Sequence, residues 1–160
     1  MEPANSEKVC LPALTAATPD TAIYGPDPAL GGMEIIPSPE AYILVADDDA
    51  AVRGFLRTVL KRGGYKVIEA ANGREALRQA RATPVALVIT DLVMPEQEGI
   101  ETIQLLRREL PQIGIIAISG AFGGQLLRAA KALGANAILE KPFNPELLLA
   151  MVKAVLLRQP

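Results

Sequence analysis

Residues 42–49 of this chain are YILVADDD, a run of apolar or aromatic residues followed directly by three aspartates. Residues 86–91, ALVITD, repeat this arrangement, and residues 113–119, IGIIAIS, end in a serine. Aliphatic runs as continuous as these are typical of strands that are covered on both faces of a parallel sheet. The three runs therefore predict buried strands of such a sheet, each followed by a polar residue.

Two further runs contain polar residues, which is typical of edge strands. The predicted strands are thus Tyr42–Ala46, Lys66–Ala70, Ala86–Thr90, Ile113–Ile118 and Asn136–Glu140. Each is followed by a segment with the apolar spacing of a helix, namely Val52–Arg62, Arg74–Arg81, Ile100–Glu109, Gln125–Leu133 and Pro145–Arg158. Because parallel strands need crossover connections and helices supply them, we predict an α/β fold, a five-stranded parallel doubly wound sheet with helices on both faces.

Turn-forming residues agree with these boundaries. Asn72-Gly73 and Pro145 lie where helices should begin, and Gly63-Gly64, Gly114 and Gly134 lie where helices should stop. The local signals therefore support the same division into strands and helices as the periodicity does.

The composition excludes several kinds of chemistry. The chain contains no histidine, which excludes a histidine base, a histidine metal ligand and the Ser-His or Cys-His pairs of nucleophilic catalysis. The lone Cys10 cannot form an internal disulfide, and the apolar runs are far shorter than the roughly 18 residues that span a bilayer. A net charge of −2 offers no basic surface to nucleic acid. We therefore expect a cytoplasmic protein with no direct nucleic-acid or membrane contact.

The first 40 residues differ from the remainder in composition. They hold seven of the 13 prolines and carry one lysine against six acidic residues. We predict a disordered, Pro-rich acidic tail over residues 1–40 and a folded domain over residues 41–160. The short apolar stretch Val9–Ala17 is interrupted by Pro12 and has no basic segment before it, so we do not expect a secretory signal.

Polar residues at the predicted strand ends gather at one edge of the sheet, where ligands bind in folds of this class. Asp47-Asp48-Asp49 follow the first strand and Asp91 the third, while Ser119 and Lys141 follow the fourth and fifth. Carboxylates brought this close repel each other unless a cation lies between them, and oxygen ligands favour Mg²⁺. A helix N-cap would explain Asp49, but a cap requires only one carboxylate. We therefore predict a magnesium site here, with Lys141 and Ser119 available to contact an anion.

Taken together, these motifs resemble the receiver domain of two-component response regulators. The resemblance extends from Tyr42 to about Arg158 and depends on residues 43–49 (ILVADDD), 88–95 (VITDLVMP), 99 (G), 118–120 (ISG) and 141–143 (KPF). It implies a (βα)5 flavodoxin-like fold. It also implies a phospho-accepting signalling protein that receives its phosphoryl group from a histidine kinase or a phosphotransfer protein.

The resemblance further implies a role for each motif residue. Asp91 would be the phosphoacceptor, and Asp47, Asp48, Asp91 and the backbone carbonyl of Val93 would hold Mg²⁺. Ser119 and Lys141 would bind the acyl phosphate, and the glycine-rich loop that begins at Ser119 would then move inward and act as a switch. Such a protein phosphorylates itself and autodephosphorylates, and it is not a turnover enzyme.

Two positions depart from the family pattern. Ile138 stands where many members carry an aromatic residue whose rotamer reports phosphorylation, and residues 96–98 (EQE) replace a commoner ending before Gly99. The fifth predicted helix reaches Arg158 and the sequence ends at Pro160, so we expect a stand-alone receiver.

Other functions fit parts of the pattern. A phosphatase resembling the haloacid dehalogenase superfamily would take its nucleophile and acid from Asp47-Asp48-Asp49 and use Ser119 and Lys141 in later motifs. It would also need an acidic pair after the lysine, where residues 143–152 contain only Glu146, and it would leave Asp91 without a role. A phosphorylation-independent interaction module would tolerate the loss of site residues, and none is lost. The glycine motifs of nucleotide-binding loops do not occur.

The last predicted helix is unusually apolar. Its inward stripe is predicted to contain Leu147, Leu148, Met151, Val152 and Val155, which leaves Leu149, Leu156 and Leu157 outside it. Exposed apolar surface commonly marks protein contacts. By resemblance, a homodimer or a downstream protein would bind through the fourth helix, fifth strand and fifth helix.

Overall fold

The computed structural model describes residues 41–94, 99–120 and 123–159. In these residues five strands alternate with five helices: β1 (Tyr42–Ala46), α1 (Ala50–Arg62), β2 (Lys66–Ala70), α2 (Gly73–Ala82), β3 (Val85–Asp91), α3 (Gly99–Glu109), β4 (Gly114–Ser119), α4 (Gly123–Ala132), β5 (Ala137–Glu140) and α5 (Pro145–Leu156). The order of elements predicted from the sequence is confirmed, and no boundary differs by more than two residues. The predicted tail, residues 1–40, lies outside the described residues.

All five strands belong to one parallel sheet in the order β2-β1-β3-β4-β5. The two runs with polar residues, β2 and β5, are the edge strands, as their composition predicts. The register pairs Ala46 with Thr90, Asp91 with Ile118, and Ser119 with Glu140. The carboxyl ends of β1, β3, β4 and β5 therefore lie side by side along one edge of the sheet.

Alternate side chains of the strands point to opposite faces and build two apolar layers. On one face, Leu44, Val88 and Ile115 pack with buried residues of α2, α3 and α4. On the other face, residues such as Ile43 and Ile116 pack with α1 and α5. The sheet is thus covered on both sides, which explains why its central strands are continuously apolar.

Caps of the kind expected from the sequence define several helix ends. The side chains of Asp49, Asn72 and Asn144 accept backbone N–H bonds at the starts of α1, α2 and α5. Gly64 and Gly134, after α1 and α4, have φ angles of 87° and 106°, which side chains with a Cβ rarely adopt.

The expectation that Gly114 stops a helix is wrong, because α3 ends at Glu109 and Gly114 is the first residue of β4. Packing explains the glycine instead. A Cβ atom there would lie 2.7 Å from Leu87 Cδ1 and 2.9 Å from Val155 Cγ1.

The inward face of α5 also differs from the predicted stripe. Leu148, Val152, Val155 and Leu156 are buried, whereas Leu147 is 46% exposed. Residues 148, 152, 155 and 156 follow the i, i+4, i+7, i+8 spacing of one helical stripe, so the helix is rotated relative to the prediction. Because nearly every position of α5 is apolar, the sequence offers few polar residues that would distinguish one stripe from the next. Of the three leucines expected outside the stripe, only Leu157 is exposed. Leu156 is buried, and Leu149 is half-buried and packs against the same apolar layer.

None of the helices in the described part of the chain is long and apolar enough to cross a membrane.

Candidate functional site

The sheet topology brings four predicted site residues to one edge. Asp47 directly follows β1, Asp91 ends β3, Ser119 ends β4, and Lys141 directly follows β5. Asp47, Asp91 and Ser119 are buried, with 1%, 8% and 0% of their surface exposed, and Asp48 is exposed. The prediction that residues far apart in sequence meet at this edge therefore agrees with the structure.

Lys141 joins two of the carboxylates. Its Nζ atom lies 2.9 Å from Asp47 Oδ2 and 2.6 Å from Asp91 Oδ2, and both pairs are partly buried. A buried carboxylate needs a partner of opposite charge, and one ammonium group here serves two. The site thus holds a cation at its centre that can hydrogen-bond several oxygen atoms at once.

Burial and charge act against each other at this site. Burial raises the pKa of Asp47 above its usual value, and the hydrogen bonds from Lys141 and from the backbone of Asp49 only partly offset this effect. Burial disfavours the charged form of Lys141, but its hydrogen bonds to Asp91 and Asp47 outweigh that effect and raise its pKa. Lys141 therefore stays protonated at neutral pH.

Backbone amides orient the second oxygen of each paired carboxylate. The N–H of Asp49 donates to Asp47 Oδ1, and the N–H of Val93 donates to Asp91 Oδ1, both at 2.9 Å. Each carboxylate is thus held by one amide and by Lys141, so its direction is determined before any ligand arrives.

Three aspartates form a set that could hold a metal ion. Asp47, Asp48 and Asp91 each offer an oxygen atom, and these oxygens lie within 4.8 Å of one another. Carboxylate oxygens are the hard ligands that Mg²⁺ prefers. Asp49 is engaged elsewhere, because its Oδ1 accepts the N–H of Ala51 at 2.8 Å and caps α1. The residues present therefore fit Mg²⁺. That the backbone carbonyl of Val93 is a further ligand stays a prediction.

Ser119 is fully buried at the end of β4, and its carbonyl accepts the N–H of Lys141 at 2.9 Å. This bond links the ends of β4 and β5 beside the carboxylates. Ile138, on β5, is half-buried and packs against the layer formed by α2, α3 and α4. Residues 121 and 122 of the predicted switch loop, and residues 96–98, lie outside the described residues.

Sequence reasoning does not predict the packing role of several residues that shape the site. Gly120 and Gly99 appear in the sequence only as parts of motifs. A Cβ atom at Gly120 would lie 3.2 Å and 3.3 Å from Cβ and Cδ of Lys141, so the missing side chain makes room for the lysine stem. Gly99 packs directly against the backbone of Asp91. Arg53, which looks like an ordinary surface charge on α1, donates to the backbone carbonyl of Asp47. The sequence offers no direct signal for these contacts.

Comparisons with known proteins agree with this geometry. A family model described as the response regulator receiver domain matches residues 43–153. The alkaline phosphatase synthesis transcriptional regulatory protein PhoP of Bacillus subtilis is 34% identical over 116 residues, which are 72% of this chain and 48% of that protein. The probable transcriptional regulator ycf27 of Porphyra purpurea is 40% identical over 117 residues, 72% of this chain and 47% of that protein. This chain thus spans about half the length of these curated relatives.

Solved structures show the same fold. The chemotaxis protein CheY4 of Vibrio cholerae matches with a TM-score of 0.67 and 33% identity, over 72% of this chain and 98% of that one. A response regulator receiver domain protein from Clostridium thermocellum matches with a TM-score of 0.70 and 26% identity, over 74% and 95%. The parallel five-stranded sheet and its helices are therefore those of CheY-like receiver domains.

Proposed function

Because this chain belongs to the response regulator receiver domain family of two-component systems, we propose that Asp91 accepts a phosphoryl group from a histidine kinase or a phosphotransfer protein. One observation carries the proposal: Lys141 pairs with both Asp47 and Asp91, and the oxygens of Asp47, Asp48 and Asp91 lie within 4.8 Å of one another. This arrangement suits the transfer of a charged group onto a carboxylate.

In the proposed reaction an oxygen of the Asp91 carboxylate attacks the phosphorus of a phosphohistidine. The new P–O bond makes an acyl phosphate, and the P–N bond breaks with its electron pair passing to the imidazole. Attack brings two negative groups together, so the main barrier is their repulsion. Lys141 lowers this barrier, because its ammonium group can donate to a phosphoryl oxygen while still contacting the carboxylates.

Asp47, Asp48 and Asp91 are the residues that would hold Mg²⁺. The ion would neutralise charge on the phosphoryl oxygens. The protein supplies the ligand set before the ion binds, since backbone amides and Lys141 already orient Asp47 and Asp91.

After transfer, the Ser119 hydroxyl would donate to a phosphoryl oxygen. Because Ser119 is fully buried beside the site, its movement toward the acyl phosphate would pull on the loop after β4. This displacement would change the surface around α4, β5 and α5, through which we propose that the protein binds a second copy or a downstream protein. Hydrolysis of the acyl phosphate would return the switch to its resting state.

Two observations favour this function over the phosphatase alternative. The second acid of an Asp-x-Asp motif would be Asp49, but Asp49 caps α1. Asp91, which a phosphatase of that type would not use, lies at the centre of the site with Lys141. Turnover of p-nitrophenyl phosphate separates the alternatives: a phosphatase of that type would hydrolyse this ester repeatedly, whereas we expect no release of nitrophenol by a receiver, whose donors are the more reactive phosphohistidine and acetyl phosphate.

Intact-mass measurement tests the phosphoacceptor directly. With Mg²⁺ and acetyl phosphate, we expect wild type to gain the mass of one phosphoryl group and Asp91→Asn to gain none. Asp49→Asn is the matched control, since asparagine also caps helices and this residue lies outside the ligand set; it should be phosphorylated as wild type is. A stable adduct on Asp91→Asn would place the phosphoacceptor elsewhere.

A further inference from the structure

Arg53, on α1, holds the backbone of the two adjacent aspartates of the site. Its Nη1 atom donates to the carbonyl oxygen of Asp47 at 2.7 Å and to that of Asp48 at 3.2 Å. Only 19% of the Arg53 side chain is exposed. The guanidinium group thus contacts the loop between β1 and α1 from the side of its carbonyls.

An acid on the neighbouring edge strand holds Arg53 in turn. Glu69 Oε1 on β2 lies 3.7 Å from Arg53 Nε, and Glu69 Oε2 accepts a bond from Arg57 Nη1 at 2.7 Å. Arg57 is one helical turn after Arg53 and shares this acid. Among the described contacts, however, Arg57 donates only to Glu69 and does not reach the loop.

These contacts bear most on Asp48. The two carbonyls that Arg53 binds belong to the peptide groups on either side of the Asp48 Cα atom, so holding both restrains the backbone dihedrals at that residue. Asp48 is exposed, and its carboxylate is therefore not oriented by packing. Asp47, by contrast, is buried and is also held by Lys141. The direction of the Asp48 side chain depends on its backbone, and its backbone depends on Arg53.

We propose that Arg53 is a positioning residue that orients Asp48 for cation binding, with Glu69 holding the guanidinium group in place. The inference rests on the proposed function, because it presumes that Asp47, Asp48 and Asp91 bind Mg²⁺. Residues that hold metal ligands in place commonly change metal affinity by about 10- to 100-fold when replaced. We expect Arg53→Ala to lie at the lower end of this range, since only one of three carboxylates loses its restraint.

The direction in which Mg²⁺ affinity changes when Arg53 is removed shows whether Arg53 acts by positioning Asp48 or only through its charge. Arg53 is a cation close to a cation site, so on charge alone its removal would strengthen Mg²⁺ binding. Loss of positioning would weaken binding instead. Arg53→Lys keeps the charge but has only one side-chain nitrogen, so it cannot contact the two carbonyls and Glu69 from separate atoms, as Arg53 does through Nη1 and Nε, and it should also weaken binding. Arg57→Ala is the matched control. Arg57 carries the same charge on the same helix and pairs with the same acid, Glu69, but it does not contact the loop.

Calorimetric titration of Mg²⁺ into wild type and these three variants tests the inference. We expect about tenfold weaker binding in Arg53→Ala, a smaller loss in Arg53→Lys, and wild-type or slightly tighter binding in Arg57→Ala. A second readout needs no metal: exchange of the Asp49 amide hydrogen, which donates to Asp47 Oδ1, should accelerate in Arg53→Ala and not in Arg57→Ala.

The outcomes distinguish the two proposals. If wild type binds no Mg²⁺, the proposed function and this inference both fail. If wild type binds Mg²⁺ but Arg53→Ala binds it equally well or more tightly, only the positioning role is overturned. If Arg53→Ala does not fold by circular dichroism, Arg53→Lys decides the matter, and unchanged Mg²⁺ affinity in that variant overturns the role.

Discussion

Gly99 opens α3 and packs against the backbone at the end of β3, so replacing it tests how closely the site depends on this contact. A Cβ atom at position 99 would lie 2.0 Å from the carbonyl oxygen of Asp91 and 2.6 Å from the Cα atom of Leu92. Both neighbours are backbone atoms, so no side chain can rotate away. Non-bonded atoms are in comfortable contact at about 3.5 Å, so Gly99→Ala must displace the start of α3 by about 1 Å or more.

This displacement has two energetic costs. Overpacking of this kind costs about 1–3 kcal/mol. The hydrogen bond from the Gly99 N–H to the Leu92 carbonyl, 3.2 Å long, would also break or lengthen, at a further cost of about 1 kcal/mol. We therefore expect the free energy of unfolding to fall by about 2–4 kcal/mol, a large part of the roughly 5–15 kcal/mol typical of a domain.

Equilibrium unfolding in urea, followed by circular dichroism, measures this change. Gly54→Ala is the control, because Gly54 lies within α1 and a Cβ atom there would meet nothing within 4 Å. Alanine is the better helix former, so this variant should gain about 0.5–1 kcal/mol. The two glycine-to-alanine changes should thus alter the free energy of unfolding in opposite directions, because Gly99 is crowded by backbone atoms and Gly54 has free space around it.

The same substitution should impair the site, because the clashing oxygen belongs to Asp91. A misplacement of about 1 Å can reduce a reaction rate by about 100-fold, so acetyl phosphate should label Gly99→Ala far more slowly than wild type under conditions in which both are folded. The reasoning would be refuted if the free energy of unfolding of Gly99→Ala differed from that of wild type by less than about 0.5 kcal/mol and the variant were phosphorylated at the wild-type rate.

Two further predictions concern the acidic loop and the partner face. Asp48→Ala should lose measurable Mg²⁺ binding and phosphorylation, whereas Asp49→Ala should keep both and lose about 1 kcal/mol of stability, because it removes only the cap of α1; equal Mg²⁺ affinity in wild type and Asp48→Ala would show that the ion binds elsewhere. Leu147 on α5 and Leu157 directly after it are exposed. The double variant Leu147→Glu/Leu157→Glu should therefore lose any self-association that a phosphoryl mimic induces in wild type. Light scattering that shows one unchanged mass in every sample would exclude self-association and leave only a different partner.

Much of the fold followed from the sequence because its signals are local. Continuous aliphatic runs such as those before Asp47 and Asp91 indicate strands buried on both faces, and intervening helical periods indicate crossovers. Caps such as Asn72 act on residues three positions away, so their effect is visible in a short window. The site followed by one more step, since the carboxyl ends of parallel strands must meet at one edge.

Other features required the tertiary structure because they depend on contacts between distant segments. Leu147 and Leu156 are equally apolar in sequence, and only docking of α5 on the sheet determines that Leu156 is the buried one. Gly114 looks like a helix stop, but its small size is required by Leu87 and Val155, which come from two other elements.

The three adjacent aspartates show most clearly what depends on contacts between distant segments. In sequence Asp47, Asp48 and Asp49 are three identical side chains, and only the expected helix cap at Asp49 and the family resemblance separate the first two from the third. In the structure Asp47 is buried against Lys141, 94 residues away, while Asp49 turns back to cap its own helix. Asp48 stays exposed on a backbone held by Arg53. Sequence determines which residues stand at the end of a strand, but the direction of each carboxylate is set by partners that only folding brings within hydrogen-bonding distance.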